Sequence, residues 1–392
     1  MRILVIGAGM YVTGRGNTGV GTVLSSLAES SKWMDIVEVV VIAKNQSNSE
    51  VVEGAINRIN ETLKTNLHVR FRRIEGDPEK DIPEILSQEL LDCAIVSVPD
   101  HLHYAYAKEL LRKKIHCLVV KPLTTSLHEA KELVELQQTN GVYAAVEFHK
   151  RFDATNLYIK KALIEGLLGK LLYFTVDYSQ RITIPEFVFR EWSSKTNIFQ
   201  YLGVHYVDLI YFLTSFIPLR VIAVGINGVL RQKSIQTYDS IHTIIFWKNP
   251  IDKNDTFISQ FSTNWIDPIC TSALSDQKYK VIGTKGRIEC DQKNRGLEVV
   301  IENKGIQAVN PYFSEYMPDA NGTLQFTGYG HKSISLFIDD VARIQRGITT
   351  PESLEGGIRP TFREALVSTA VVDAINRSLL NNSSWEEVDD FR

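Results

Sequence analysis

The chain has 392 residues, 44% hydrophobic and 23% charged. That is more than one ~100–150-residue core needs and far from the polar profile of a disordered chain, so two folded domains are expected. A formal charge of -3 argues against a broad basic surface for nucleic acid, because neutralising phosphates takes clustered Lys and Arg.

The start, Met1-Arg2-Ile3-Leu4-Val5-Ile6-Gly7, lacks the long apolar stretch and cleavage site of a signal peptide. The most apolar run, 201–216, carries His205 and Asp208 and falls short of the ~20 residues of a membrane span. Cys93, Cys117, Cys270 and Cys290 are widely spaced and read as reduced thiols. A cytoplasmic protein with no membrane and no nucleic-acid partner is expected.

Residues 1–150 alternate short β-branched runs with amphipathic segments, the pattern of a parallel sheet wrapped by helices. Strands are predicted over 2–6, 37–43, 69–74, 93–98, 117–120 and 143–148. Between them, Val20, Val23, Leu24 and Leu27 share one helix face by i, i+3, i+4, i+7 spacing. Further helices are predicted near 82–90 and 104–112. Ser126 and Glu129 have capping-box spacing, which starts a helix ending at Gly141. Beyond Lys150 the rhythm shifts to longer β-rich stretches, at 171–180, 220–226, 240–247, 256–264, 278–282, 287–290 and 298–303. One apolar helix is predicted at 201–213 and another at 362–379. The expected fold is α/β: a Rossmann-type doubly wound parallel sheet over 1–148, then an α+β domain over 149–392 with a large, mainly antiparallel open sheet. That sheet also suits self-association as a homodimer or homotetramer.

Gly7-Ala8-Gly9 sits where the first strand ends and a helix is due, where a pyrophosphate can approach backbone N–H groups. It is also compatible with an ordinary tight turn. Position 12, where a third glycine is expected, holds Val12; Gly14, Gly16, Gly19 and Gly21 come later, as though 11–17 were an insertion. The second strand ends Ala43-Lys44-Asn45 with no carboxylate for the ribose hydroxyls of NAD. Lys44 suits the 2′-phosphate of NADP, which is slightly favoured over NAD, or it is a solvated strand-end lysine. Lys121 closes another strand, on the edge where ligands bind in such sheets. His101 and His103 have no accompanying ligand cluster, so no metal is predicted. Tyr201, His205 and Asp208 fall at i, i+4, i+7 on one face of an apolar helix. An alcohol oxidation needs a proton acceptor of this kind, although a hydrogen-bonded core histidine fits equally. Arg151, Arg190, Trp192, Asn264 and Trp265 are candidate sugar-binding side chains by type.

In order and spacing these segments resemble the Gfo/Idh/MocA family of NAD(P)-dependent oxidoreductases. The resemblance is carried by Pro99 with His103, by Val120-Lys121-Pro122 where the family has Glu-Lys-Pro, and by Glu147-Phe148-His149-Lys150-Arg151-Phe152. Gly203-Val204-His205-Tyr206-Val207-Asp208 matches the family's Gly-x-His-x-x-Asp, and Gly283-Thr284-Lys285-Gly286 its late strand turn. The resemblance implies that Lys121 contacts the reacting hydroxyl and the nicotinamide, and that His205 serves as proton acceptor or donor; Tyr201, one helical turn earlier, is expected to orient His205 or relay the proton. It further implies that Gly7 and Gly9 face the pyrophosphate and that Pro99, His103 and Lys121 line the nicotinamide side. Met10 is expected among the cofactor-binding residues, and Arg151, Trp192 and Asp208 among those that bind substrate. Three departures stand out: Val120 for glutamate, Tyr201 where many members have aspartate, and the 11–17 insertion. The implied activity is hydride transfer between NADP or NAD and a CH–OH or ketone carbon of a sugar, sugar derivative or cyclitol. The alternatives are a non-catalytic dinucleotide-binding regulator and an NAD-dependent glycosidase.

Overall fold

A computed structural model describes residues 1–15, 21–303 and 305–391. Val20, Gly16, Gly19 and the end of the 11–17 insertion lie outside these residues. The chain divides into two compact units, one of Met1–Thr124, His128–Asp153 and Tyr312–Ala365, the other of Thr125–Leu127, Ala154–Pro311 and Leu366–Arg392.

In the first unit six strands, β1 (Arg2–Ile6), β2 (Glu38–Ala43), β3 (Val69–Arg73), β4 (Cys93–Val96), β5 (His116–Val120) and β6 (Ala144–Glu147), form a parallel sheet ordered β3-β2-β1-β4-β5-β6. The Ile3–Ile6, Val39–Ile42 and Cys93–Val96 runs are fully buried, as strands covered on both faces must be. The pairs Ile6↔Ile42, Ile6↔Val96, Val96↔Val119 and Val119↔Val146 bring the strand ends into one row. Gly7, Lys44, Ser97, Lys121 and Glu147 therefore follow along one edge of the sheet.

Helices α1 (Met10–Thr13), α2 (Thr22–Ser30), α3 (Asn48–Leu63), α4 (Pro78–Gln88), α5 (His103–Arg112) and α6 (Leu127–Asn140) connect these strands. The stripe Val52, Ala55, Ile56, Ile59, Leu63 buries α3 in the core. The unit is discontinuous, which the expected boundary at 148 did not anticipate. Helix Tyr329–Gln345 adds Ile334, Phe337, Ile338 and Val341 to the core of β1 and β2. Tyr143 stacks on Phe337 at 5.5 Å and donates to Asp340, which also holds Arg359 at 2.6 and 2.8 Å. Residues 360–361 cover the β6 edge, where Val146 N–H donates to the Pro360 carbonyl at 2.8 Å and Ala145 bridges Thr361. An edge strand left bare would invite wrong pairing.

The second unit is built on β7 (Leu171–Arg181), β8 (Ile217–Ile226), β9 (Ser240–Lys248), β10 (Thr256–Asp267), β11 (Ser275–Gly283) and β12 (Gly286–Asp291), ordered β12-β11-β7-β10-β9-β8, with Glu386–Glu387 beyond β8. The sheet is mainly antiparallel; β7 and β10 run parallel. Period-2 alternation buries Phe174, Val176, Phe257, Phe261, Ile245 and Trp247 on one face. Helices α7 (Ala154–Ile164) and α8 (Val204–Thr214) belong to this unit, with Tyr206 edge-on to Tyr178 and Tyr279. The opposite face carries the exposed Asp177, Gln260, Ser262, His242 and Val224. Residues 298–303, expected as one strand, form instead the first arm of a separate hairpin, Glu298–Ile301 with Gly305–Ala308.

Candidate active site

The loop after β1 starts with a glycine that the backbone demands. Gly7 has φ 107°, and a Cβ there would lie 2.0 Å from the Ser97 carbonyl oxygen, so only glycine fits. Gly9 differs: a Cβ built on it meets no atom within 4 Å, so the space over the loop is open there. Met10, half-buried, begins α1. After one turn Gly14, at φ 78°, ends that helix. The close packing expected of a glycine at position 12 falls to Gly21, whose Cβ would sit 2.3 Å from the Val12 carbonyl oxygen.

Lys44 is exposed just past β2, its stem running against Gly76. Pro99 precedes the turn Asp100–Leu102. His103 is buried, with Nδ1 2.7 Å from the Pro122 carbonyl oxygen and Nε2 2.9 Å from that of Val98. It thus ties the loop after β4 to the loop after β5. Burial pushes its imidazole below the ordinary value, against the pull of Asp100, so the neutral ring donates to one carbonyl at a time. His103→Ala is expected to lower unfolding stability by about 1–3 kcal/mol, because a buried carbonyl loses its hydrogen-bond donor. A urea midpoint unmoved from wild type would refute this.

Lys121 follows β5 and is 8% exposed. Burial lowers its ammonium pKa to about 8, and Asp100 and Glu147 oppose the shift. A lysine that titrates near neutrality can donate a proton or a hydrogen bond at little cost. Arg151 is fully buried, and its guanidinium lies 3.4 Å from Glu364; its placement is that of a core ion pair.

In the second unit the helix expected over 201–213 is in two parts. Phe199–Gly203 is a π-helical turn, and α8 begins only at Val204. A Cβ on Gly203 would lie 2.6 Å from the Phe199 ring, so glycine lets that ring pack over the wide turn. Asn197 caps the turn through the Gln200 N–H at 2.9 Å. His205 and Asp208, both buried, share one face of α8 at i, i+3. Tyr201 lies in the wider turn, so the expected face shared by all three as one α-helix is corrected. Its ring stands edge-on to Phe189 at 4.7 Å, Phe189 lies 4.2 Å from Trp192, and Trp265 lies 6.5 Å from Tyr201. This aromatic wall, with half-buried Trp192 and Tyr201, suits the apolar face of a sugar ring. Phe189 was missed from the sequence, although Trp192 three residues on was named, because nothing in the run shows which of Phe187 and Phe189 packs inward.

Among the described residues, no helix is long and apolar enough to cross a membrane. Residues 1–148 match the family described as "Oxidoreductase family, NAD-binding Rossmann fold" and 156–289 match the "GFO/IDH/MocA C-terminal domain". The chain belongs to the GFO/IDH/MocA oxidoreductase family, and its Rossmann domain binds an NAD(P) dinucleotide. Over 166 residues it is 28% identical to the scyllo-inositol 2-dehydrogenase (NADP(+)) IolW of Bacillus subtilis (strain 168), covering 41% of this chain and 44% of that protein. Over 133 residues it is 29% identical to the glucose-6-phosphate 3-dehydrogenase of the same organism, covering 32% and 38%. The similarity thus spans less than half the length of either relative. The crystal structure of scyllo-inositol dehydrogenase from Lactobacillus casei, with bound NAD(H) and scyllo-inositol, shares the fold with a TM-score of 0.67 at 14% identity, over 99% of each chain.

Proposed function

We propose that this protein is an NAD(P)-dependent dehydrogenase or reductase acting on a CH–OH or ketone carbon of a sugar, sugar derivative or cyclitol. The observation that carries this is Lys121, buried at the carboxyl edge of the parallel sheet and titrating near 8. A nicotinamide dinucleotide, when bound, would supply or accept the hydride. Lys121, protonated, donates a hydrogen bond to the substrate oxygen. His205 takes the hydroxyl proton in oxidation and returns it in reduction, and the Tyr201 ring holds the substrate's place beside it. Trp192 and Asp208 contact the substrate, and Pro99 lies toward the nicotinamide. Arg151, in its ion pair with Glu364, supports the fold. The names of the two Bacillus relatives support the substrate class. Purified protein mixed with either dinucleotide and a panel of sugars and cyclitols should change the absorbance of reduced nicotinamide. Tight dinucleotide binding with no turnover across the panel would favour the regulator instead.

Lys44 gives NADP the advantage over NAD, since it offers a cation and no carboxylate at the end of β2. An exposed ion pair is worth little, so the preference is about threefold to tenfold. Lys44→Ala should erase it in parallel titrations of the two cofactors; an unchanged ratio refutes the assignment. The exposed face of the second unit's sheet is where copies of the chain pair. Light scattering at micromolar concentration should give a multiple of 44.3 kDa, and a monomer mass would remove this part.

A further inference from the structure

Gly76, in the loop after β3, lacks a side chain at the place where the stem of Lys44 needs the room. It has φ 89°, and a Cβ built on it would lie 2.6 Å from Lys44 Cε, 2.9 Å from Cγ and closer still to Cδ. The backbone under that stem is pinned. Asp81, buried in the first turn of α4, accepts from the Glu75 and Gly76 N–H groups at 3.1 and 2.8 Å, and Ile74 N–H donates to the Ala43 carbonyl at 3.1 Å. A lysine stem of four carbons ordinarily turns freely; this one lies in a groove across the loop. Its ammonium has no ion pair among the described residues, since Asp81 is engaged with those two amides and Asp77 with Lys80 at 3.2 Å. Lys44 also stands beside the loop after β1, where Gly7 N–H donates to the Ile42 carbonyl at 2.8 Å, and in sheets of this kind the adenosine ribose of a dinucleotide lies at the end of the second strand.

We propose that Gly76 is a positioning residue for cofactor choice: by leaving a groove for the Lys44 stem, it holds the ammonium in place at the end of β2 for a ribose 2′-phosphate. The proposal rests on the NADP reading of Lys44 given above and names the source of its selectivity. An exposed ion pair is weak in part because a long side chain must be ordered to form it; a stem ordered in advance avoids that loss. A methyl group at 76 would meet pinned backbone on one side and a flexible side chain on the other, so the lysine is what gives way. Asp81 acts one step further back, by fixing the loop in which Gly76 sits.

The test is calorimetric titration of the whole protein with 2′,5′-ADP and with 5′-AMP, which differ only in the 2′-phosphate and need no turnover. Wild type should prefer 2′,5′-ADP by about threefold to tenfold, and Lys44→Ala should bring the ratio of affinities near one. Gly76→Ala, with Lys44 intact, should bring it within about twofold of the Lys44→Ala value while 5′-AMP affinity holds, and Gly76→Ala/Lys44→Ala should bind both ligands as Lys44→Ala does. A glycine needed only for the fold would weaken both ligands in step. A folded Gly76→Ala with the wild-type ratio, or with both affinities lowered equally, overturns the proposal. Asparagine tolerates positive φ, so Gly76→Asn repeats the test should the alanine variant not fold; if neither folds, the glycine serves the fold and the proposal is overturned. A ratio that survives Lys44→Ala overturns the cofactor reading of Lys44 and this proposal with it. One that collapses in Lys44→Ala and survives in Gly76→Ala overturns this proposal alone.

Discussion

Lys121→Ala should lower kcat by about 10²–10⁴-fold on a confirmed substrate, the usual yield of a positioned proton-handling group. Substrate binding should weaken with it, because the substrate oxygen loses its hydrogen-bond donor. The pH dependence follows from the placement of the lysine. Burial lowers its pKa to about 8, and the protonated form is the hydrogen-bond donor. As pH rises through 8 that form is lost, so kcat/KM falls on the alkaline side with a midpoint there. Lys121→Arg, whose guanidinium stays charged, should carry that limb out of the accessible range at reduced rate. Removing the ammonium also leaves Asp100 and Glu147 buried without it, so thermal melting of each variant separates lost chemistry from lost fold. A folded Lys121→Ala that turns over at the wild-type rate would falsify the role.

His205→Ala should cost a similar factor in kcat, because the hydroxyl proton loses its acceptor in oxidation. The variant should keep the alkaline limb that belongs to Lys121. His205 sits in the first turn of α8 inside a packed apolar helix, so the melting temperature is the control here as well. If a folded His205→Ala oxidises the substrate at the wild-type rate, the proton acceptor is another group.

The Rossmann half was legible because strands buried on both faces are written as β-branched runs, and Ile3–Ile6 and Val39–Ile42 have few alternatives. Lys121 could be placed because it directly follows such a run. Helix α3 was overlooked although Val52, Ala55, Ile56, Ile59 and Leu63 recur at helical spacing; its many polar residues mask the stripe. Helix Tyr329–Gln345 was overlooked for a different reason. Its partners, β1 and β2, lie some three hundred residues earlier in the chain, and periodicity shows a buried face without showing what buries it. The π-turn at Phe199–Gly203 was hidden because Gly203 reads as a helix residue of low propensity; its ring contact with Phe199 exists only in three dimensions.

The discontinuity of the first unit also sets an order of events during synthesis. Strands β1 to β6 leave the ribosome early, yet the side chains that complete their core, Ile334, Phe337, Ile338 and Val341, are made only after the whole β7 to β12 sheet. Until then β6 lacks the 360–361 segment that occupies its edge, and Tyr143 lacks Phe337 and Asp340. The nascent dinucleotide-binding half is thus an unfinished body with an apolar face and a bare strand edge, the surfaces chaperones bind and aggregates grow from. A chain released before residue 329 is left in that state, whereas one released after 365 is not.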